Sequence, residues 1–295
     1  VAGYTTTLTP WSGENSVSNQ VVTGWDDQRF QMSITTPTGL SSVTLRMTSN
    51  LDQAENDESW GISSFNYASS TGGLTLNSGT VGQIQANGAI GASTALPSLS
   101  INQSGGATFA QSVNVSGAIT ISNTTSSALI NFQGNVTANS LATTANGYGI
   151  KLAGASNTIS AATTFNNTGT VTIGDQSTDS TTFSSGLTAL APSGISLSGT
   201  IISSGPTQIG DATTPITLAS NTTINTSSGS SSANRAMTLG GAITGDNQAL
   251  TLSSGSGVIS VVEMGTLNHG LGAVTVTGDE FNPAGDIYGQ STLVI

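Results

Sequence analysis

Short runs in which apolar and polar residues alternate recur through the chain. In an early run, Val43, Leu45 and Met47 alternate with Thr44 and Arg46. Successive side chains of a strand point to opposite faces, so this alternation predicts β-strands with one buried face. Further short strands are predicted at 113–121, 129–136, 150–152, 171–173, 195–202, 216–218, 250–252, 258–262 and 274–276.

A loose repeat accompanies the strands after residue 68. A glycine is followed one or two places later by a β-branched or aliphatic residue and then by Thr or Ser, and several of these phrases lie about 17 residues apart. A unit this short cannot enclose a core alone, but stacked units align their Val, Ile, Leu and Phe side chains into internal ladders. The pattern therefore predicts a parallel β-solenoid. The phrases lie at 117–120, 134–137, 169–172, 186–188, 194–196, 241–244, 257–260 and 272–275.

The composition changes near residue 68. Trp11, Trp25 and Trp60 are the only tryptophans, and seven of the 15 acidic residues also precede this point. We therefore predict a small β-sandwich-like module over 1–68, whose alternating runs suit short strands, and a parallel β-solenoid over 69–295. Tandem immunoglobulin-like sandwiches are the main alternative for the second part, but they usually contain a buried Trp in each unit.

Charged residues make up 6% of the chain, with a formal net charge of −11, whereas about 25% is usual for a soluble domain. Four basic residues cannot form the positive face that nucleic-acid binding needs, which excludes nucleic acid as a partner. Ser, Thr, Gly and Asn dominate and are poor in helix interiors, so an all-β fold is expected.

The sequence contains no cysteine and no run of 18 apolar residues that would predict a transmembrane segment. Exported bacterial chains often lack cysteine, and a chain of this length does not need disulfides to build a core. We therefore expect an extracellular protein at the surface of a bacterial cell. The first residue is Val1, so a processed or excised chain is expected.

Several phrases carry a resemblance to a known group of proteins. They are Gly-Leu-Thr-Ala-Leu at 186–190, the phrase at 240–252, and 274–281 leading to 285–289. They resemble the strand repeats of large bacterial and cyanobacterial surface proteins of the filamentous-haemagglutinin and autotransporter-adhesin type. The resemblance covers about 70–295 and implies a right-handed parallel β-helix that serves as an extracellular stalk, adhesin or fibre.

The chain also departs from that group. It has no secretion-domain signature near its amino end, and 291–295 is a strand-like run without an evident cap. Because an unpaired strand edge can template pairing with another chain, we expect end-to-end self-association or contact with neighbouring surface proteins. An alternative expectation is that the native chain continues.

One acidic cluster could bind a metal. Asp52, Glu55, Asp57 and Glu58 lie within seven residues, just before Trp60. Dense carboxylates in a loop suit Ca²⁺, although the spacing is not that of an EF-hand. A solvated acidic loop beside a buried Trp is the alternative. A calcium site here favours a second functional hypothesis, a Ca²⁺-dependent carbohydrate- or receptor-binding module on a β-helix stalk, with glycans as partners.

Polysaccharide-degrading enzymes also use β-helices. Glycoside hydrolysis needs carboxylates that converge on one bond, and elimination needs a base. After residue 68 the basic residues are Lys151 and Arg235, and the one tight acidic pair is Asp279-Glu280. His269, the only histidine, is expected to be an ordinary surface residue. We therefore expect no catalysis.

Most acidic residues of the predicted solenoid are scattered, and we expect Asp175, Asp179, Asp211 and Asp246 to lie at corners, where Asp side chains hydrogen-bond the backbone of turns. Ice binding is a further hypothesis, because solenoid faces with regular Thr-x-Thr ladders can order water. The pairs at 170/172 and 275/277 fit, but the sequence does not show one pair in every turn, which argues against it.

Overall fold

The computed structural model describes residues 5–10, 30–35, 42–46, 72–227, 235–289 and 293–294. Every regular element in these ranges is a β-strand. The chain divides into two compact units, Val1–Ser41 and Ser42–Ile295. No helix in the described ranges is long and apolar enough to cross a bilayer.

The described residues form 25 strands, numbered in chain order. They are β1 Thr5–Pro10, β2 Phe30–Thr35, β3 Ser42–Arg46, β4 Gly73–Asn77, β5 Ile84–Ala86, β6 Leu99–Ser104, β7 Ala107–Phe109, β8 Val113–Thr124, β9 Leu129–Phe132, β10 Val136–Thr143, β11 Gly149–Leu152, β12 Ser156–Ile159, β13 Thr163–Thr164, β14 Thr170–Ile173, β15 Ser180–Phe183, β16 Leu187–Ala189, β17 Gly194–Ser203, β18 Thr207–Ile209, β19 Ile216–Asn225, β20 Met237–Thr244, β21 Leu250–Ser253, β22 Val258–Met264, β23 Val274–Thr277, β24 Glu280–Pro283 and β25 Leu293–Val294.

The first unit contains one antiparallel strand pair among its described residues. β1 and β2 run in register from Thr5 opposite Thr35 to Pro10 opposite Phe30. The predicted sandwich-like module includes this pair. Apart from β3, its remaining residues lie outside the described ranges, so the sandwich itself stays a prediction.

The second unit is a parallel β-solenoid of about nine turns, which confirms the predicted fold class. Its strands stack into three parallel ladders. The first contains β3, β4, β6, β13, β16, β18 and β24, with segments of β8, β10, β20 and β22. The second contains β5, β7, β9, β11 and β14, with segments of β17, β19, β20 and β22. The third contains β12, β15, β21, β23 and β25, with segments of β8, β10, β17 and β19.

The solenoid begins earlier than the composition suggested. β3, which the sequence pattern assigned to the amino-terminal module, pairs in parallel with β4, and the boundary between the two compact units lies after Ser41. The predicted boundary at residues 68–69 itself lies outside the described ranges. Tryptophan content therefore does not mark the start of the parallel sheet.

The core consists of inward-facing side chains that stack from turn to turn. Phe109 of β7 and Phe132 of β9 are register partners, and their rings stack with centroids 4.9 Å apart and planes 11° apart. This distance matches the spacing of paired strands, about 4.8 Å. Phe165 and Phe183 meet edge to face. The ladders thus bury the aliphatic and aromatic residues that the alternation predicted would face inward.

Candidate functional site

The predicted calcium ligands Asp52, Glu55, Asp57 and Glu58 lie outside the described residues. Within the ranges that are described, no group of three or more His, Cys, Asp or Glu residues is placed to hold a metal ion. The calcium site therefore stays a prediction.

A shallow groove of about 430 Å³ opens on the second ladder. Its floor is formed by neighbouring strands, because Thr217 of β19 and Thr244 of β20 are register partners. The loops that follow β20 and β22 form its walls. The groove is lined by Thr217, Leu218, Ala219, Thr244, Gly245, Asp246, Gln248 and His269.

The backbone of the two wall loops brings these residues together. Asn247 has a positive φ of 64°, the left-handed conformation that Asn tolerates better than most residues, and it turns the chain between Asp246 and Gln248. The N–H of Asn247 donates to the carbonyl of Gly270 at 3.1 Å, and the N–H of Gly272 donates to the carbonyl of Gln248 at 2.9 Å. These bonds hold the loops after β20 and β22 side by side.

Asp246 and His269 form the only pair of ionisable side chains among the groove residues. His269 Nδ1 lies 2.8 Å from Asp246 Oδ1, and the side chains are 61% and 77% exposed for His269 and Asp246, respectively. Water screens such a pair, so its net contribution to stability is small. Its main effect is to orient the imidazole, because one ring nitrogen is fixed by the carboxylate.

The polar groups of the groove differ in accessibility. The carboxylate of Asp246 is exposed, whereas Gln248 Oε1 is buried and has no hydrogen-bond partner. Asp246 is the only carboxylate among the groove residues. Glycoside hydrolysis by paired carboxylates needs a second acidic residue, and the groove lining does not contain one.

The aspartates predicted at corners hold turns. Asp179 is buried, and its Oδ2 accepts hydrogen bonds from the backbone N–H groups of Asp175 and Gln176 at 2.8 and 2.9 Å. Asp211 Oδ1 accepts from the N–H and hydroxyl of Thr213, each at 2.8 Å. The bond from the Thr213 hydroxyl, supported by the one from its N–H, lowers the pKa of Asp211. The corner prediction is confirmed for both residues.

Asp175 and Asp246 also lie in loops, after β14 and β20, as predicted, and each meets a charged or titratable side chain there. Asp175 Oδ2 lies 2.9 Å from Lys151 Nζ, with both side chains about one-third exposed. Asp246 meets His269 across the groove. The sequence predicted an ordinary surface position for His269, which its exposure confirms, but it did not indicate the contact with Asp246. The available signal was the separation of 23 residues between the partners, which is close to one turn of the solenoid.

No protein-family model, curated protein or solved structure matches this chain. The resemblance to haemagglutinin-type and autotransporter-type adhesins therefore rests on the quoted phrases, and the solenoid geometry is common to many unrelated chains.

Proposed function

We propose that this chain is a structural and adhesive part of a bacterial surface protein or fibre, that it acts outside the cell, and that it performs no catalysis. The observation that carries the proposal is the stacked solenoid, whose parallel pairing joins the first ladder from β3 to β24. Each turn hydrogen-bonds the next, so an extended scaffold is built from backbone pairing and a thin core.

The surface chemistry supports a scaffold that contacts water and other surfaces. Among the described residues, most exposed positions carry Ser, Thr, Asn or Gln, and the whole chain has only 15 acidic and four basic residues. Such a surface hydrates well and depends little on ionic conditions. The absence of cysteine also suits a bacterial exported chain of this length, because its stability needs no disulfide.

The arrangement of ionisable groups supports a non-catalytic role. Catalytic sites bring several titratable groups together in a cleft. In the described part of the chain, the groove on the second ladder contains the exposed pair Asp246 and His269, and Lys151 is paired with Asp175. Solenoids also serve as enzymes, so the proposal depends on the chemistry of these residues and not on the fold.

The Ca²⁺-dependent carbohydrate- or receptor-binding module remains the second hypothesis, and it depends on residues outside the described ranges. The groove on the second ladder offers hydrogen-bonding groups to hydroxylated ligands, but its acidic side chain is Asp246 alone. It gives no support to a calcium site. End-to-end self-association and contact with neighbouring surface proteins belong to the structural proposal.

Labelling of intact cells of the source bacterium tests the proposal. Antibodies raised against the full chain are expected to stain unpermeabilised cells, and external protease is expected to remove the stain. Antibodies against a cytosolic protein, used on the same cells, control for leakage. Staining that appears only after permeabilisation would overturn the proposed location and, with it, the adhesive role.

A further inference from the structure

The third ladder carries two parallel columns of outward-facing polar residues, which we name the hydroxyl array. The array uses β12, β15, the later parts of β17 and β19, β21 and β23, which pair in register without a slip. Ten of its twelve side chains bear hydroxyl groups. One column is Ser156, Ser180, Thr200, Thr223, Thr251 and Thr275, and the other is Thr158, Thr182, Ile202, Asn225, Ser253 and Thr277.

The positions of these side chains are fixed by the strands beneath them. Between the two columns, every strand turns a buried residue inward, such as Thr181, Ile201 and Ile224. Paired strands lie about 4.8 Å apart, which is the distance between neighbouring residues of one column. The two columns are two residues apart along each strand, which gives a distance of roughly 6.6 Å between them. The array is thus a two-dimensional lattice about 24 Å long at this spacing.

Threonine makes the lattice stiff as well as regular. Its branched Cβ restricts χ1, and Thr side chains that lie opposite each other in neighbouring strands pack together. The run Thr200, Thr223, Thr251 and Thr275 is continuous over four strands. All twelve array residues are partly or fully exposed, so their hydroxyl and methyl groups face solvent from fixed positions.

The array carries no charge. Asp179, next to Ser180, is buried, and its carboxylate accepts the N–H groups of Asp175 and Gln176. Among the described residues, charged groups border the array only beyond its strands, where exposed Asp279 and Glu280 follow Thr277 and Arg235 donates to the carbonyls of Thr226 and Ser227. The second ladder differs, because Lys151 interrupts its outward column and pairs with Asp175 of the loop after β14. The first ladder presents one column over its short strands, and Ala142 and Gln208 interrupt its hydroxyl groups.

We propose that the hydroxyl array binds the surface of ice. The array holds hydroxyl groups at regular spacings, from which they can hydrogen-bond an ordered layer of water. The methyl groups of its threonines lie among them, and water beside apolar groups is already restricted in orientation. A charged side chain would hold its own hydration shell and disturb this order. A crystalline polysaccharide is the other regular hydroxylated surface, but the array has no aromatic ring to stack on sugar rings.

This inference is independent of the proposed surface role. An extracellular scaffold can lack ice binding, and an ice-binding chain can act in any compartment that meets ice. Cell labelling therefore tests only the proposed surface role, and the ice measurements test only ice binding.

The test uses the full chain in a nanolitre osmometer. Wild-type protein is expected to produce thermal hysteresis and faceted ice crystals, and fluorescently labelled protein is expected to enter a growing ice hemisphere. Thr223→Tyr, at the centre of the array, is expected to remove most of the hysteresis, because the bulky ring keeps the neighbouring hydroxyl groups of the array away from the ice surface. Thr251→Lys, which adds a charge at the neighbouring register position, is expected to do the same.

Matched variants on the first ladder show whether a loss of hysteresis depends on the position in the array or only on the Tyr or Lys side chain that is introduced. Thr188 faces outward between the buried residues Leu187 and Ala189, so Thr188→Tyr and Thr188→Lys are expected to keep the wild-type hysteresis. Thermal unfolding by circular dichroism verifies that each variant is folded. The proposal is overturned if wild-type protein gives no more hysteresis than serum albumin, if the Thr188 variants lose as much as the array variants, or if the chain adsorbs to crystalline cellulose or chitin and not to ice.

Discussion

Glycine at the junction between two ladders shows how a single residue can be required by the solenoid. Gly199 has a φ of +71°, and a Cβ there would lie 2.3 Å from the carbonyl oxygen of Asp179. That carbonyl accepts the N–H of Thr200 at 2.8 Å, so it cannot move without loss of a hydrogen bond between turns. Gly79 has a similar φ of +77°, but nothing lies within 4 Å of the position that a Cβ would take there.

Gly199→Ala is therefore expected to destabilise the fold more than Gly79→Ala. Each variant forces Ala into a left-handed conformation at a cost of about 1–2 kcal/mol, and Gly199→Ala adds a backbone clash that costs roughly 1–3 kcal/mol more. The midpoints of urea unfolding, followed by circular dichroism, measure the difference. Equal midpoints for the two variants would show that the carbonyl of Asp179 can relax.

The strand pattern predicted the elements of the solenoid better than it predicted their period. The phrases at 117–120, 134–137 and 169–172 lie on the first, third and second ladders, respectively. Their spacing of about 17 residues therefore measures steps between ladders and not a full turn. Register partners lie farther apart, as with Leu99 and Ile119 or Leu74 and Leu99, at 20 and 25 residues.

The hydroxyl array escaped the sequence analysis for the same reason. Thr170 and Thr172 lie on the second ladder, whereas Thr275 and Thr277 lie on the third, so the two recognised pairs are not neighbours. The members of the array become neighbours only through pairing between strands whose separation varies along the chain. Alternation within a strand reports which side chains face outward, but the register between strands depends on loop lengths that local patterns do not reveal.

A buried amide within the third ladder gives a test at the scale of one strand. Asn157 Oδ1 accepts the N–H of Val136 at 3.0 Å, and its Nδ2 donates to Gly154 O and Thr181 Oγ1 at 2.9 and 3.1 Å. Asn157→Leu keeps the branched shape and the number of side-chain heavy atoms but leaves the N–H of Val136 without this acceptor. We expect a loss of about 1–3 kcal/mol in unfolding free energy.

Ser156→Ala is the matched control for that variant. Ser156 is the exposed neighbour of Asn157 in β12, so its truncation is expected to change the unfolding free energy by less than about 0.5 kcal/mol. Urea titrations of both variants and the wild type supply the comparison. An Asn157→Leu variant as stable as Ser156→Ala would mean that the backbone of Val136 finds another partner.

Over the whole molecule, stability comes from stacked turns and hardly from charge. In the described residues, the ion pair of Lys151 with Asp175 and the hydrogen-bonded pair of Asp246 with His269 are both reached by solvent. Exposed pairs typically contribute about 0–1 kcal/mol and are weakened by salt. The formal net charge of −11 acts in the opposite direction, because salt screens the repulsion among like charges.

The melting temperature is therefore expected to change little between low salt and about 1 M NaCl, where the Debye length falls to about 3 Å. The two opposing effects leave a shift of at most about 4 °C for a chain of this size. Circular dichroism of the full chain measures it, with Lys151→Met as the comparison, since that variant lacks the ion pair with Asp175 and is expected to respond to salt like the wild type. A melting temperature that falls steeply with NaCl would contradict this account, because it would require ion pairs that carry a large share of the folding free energy.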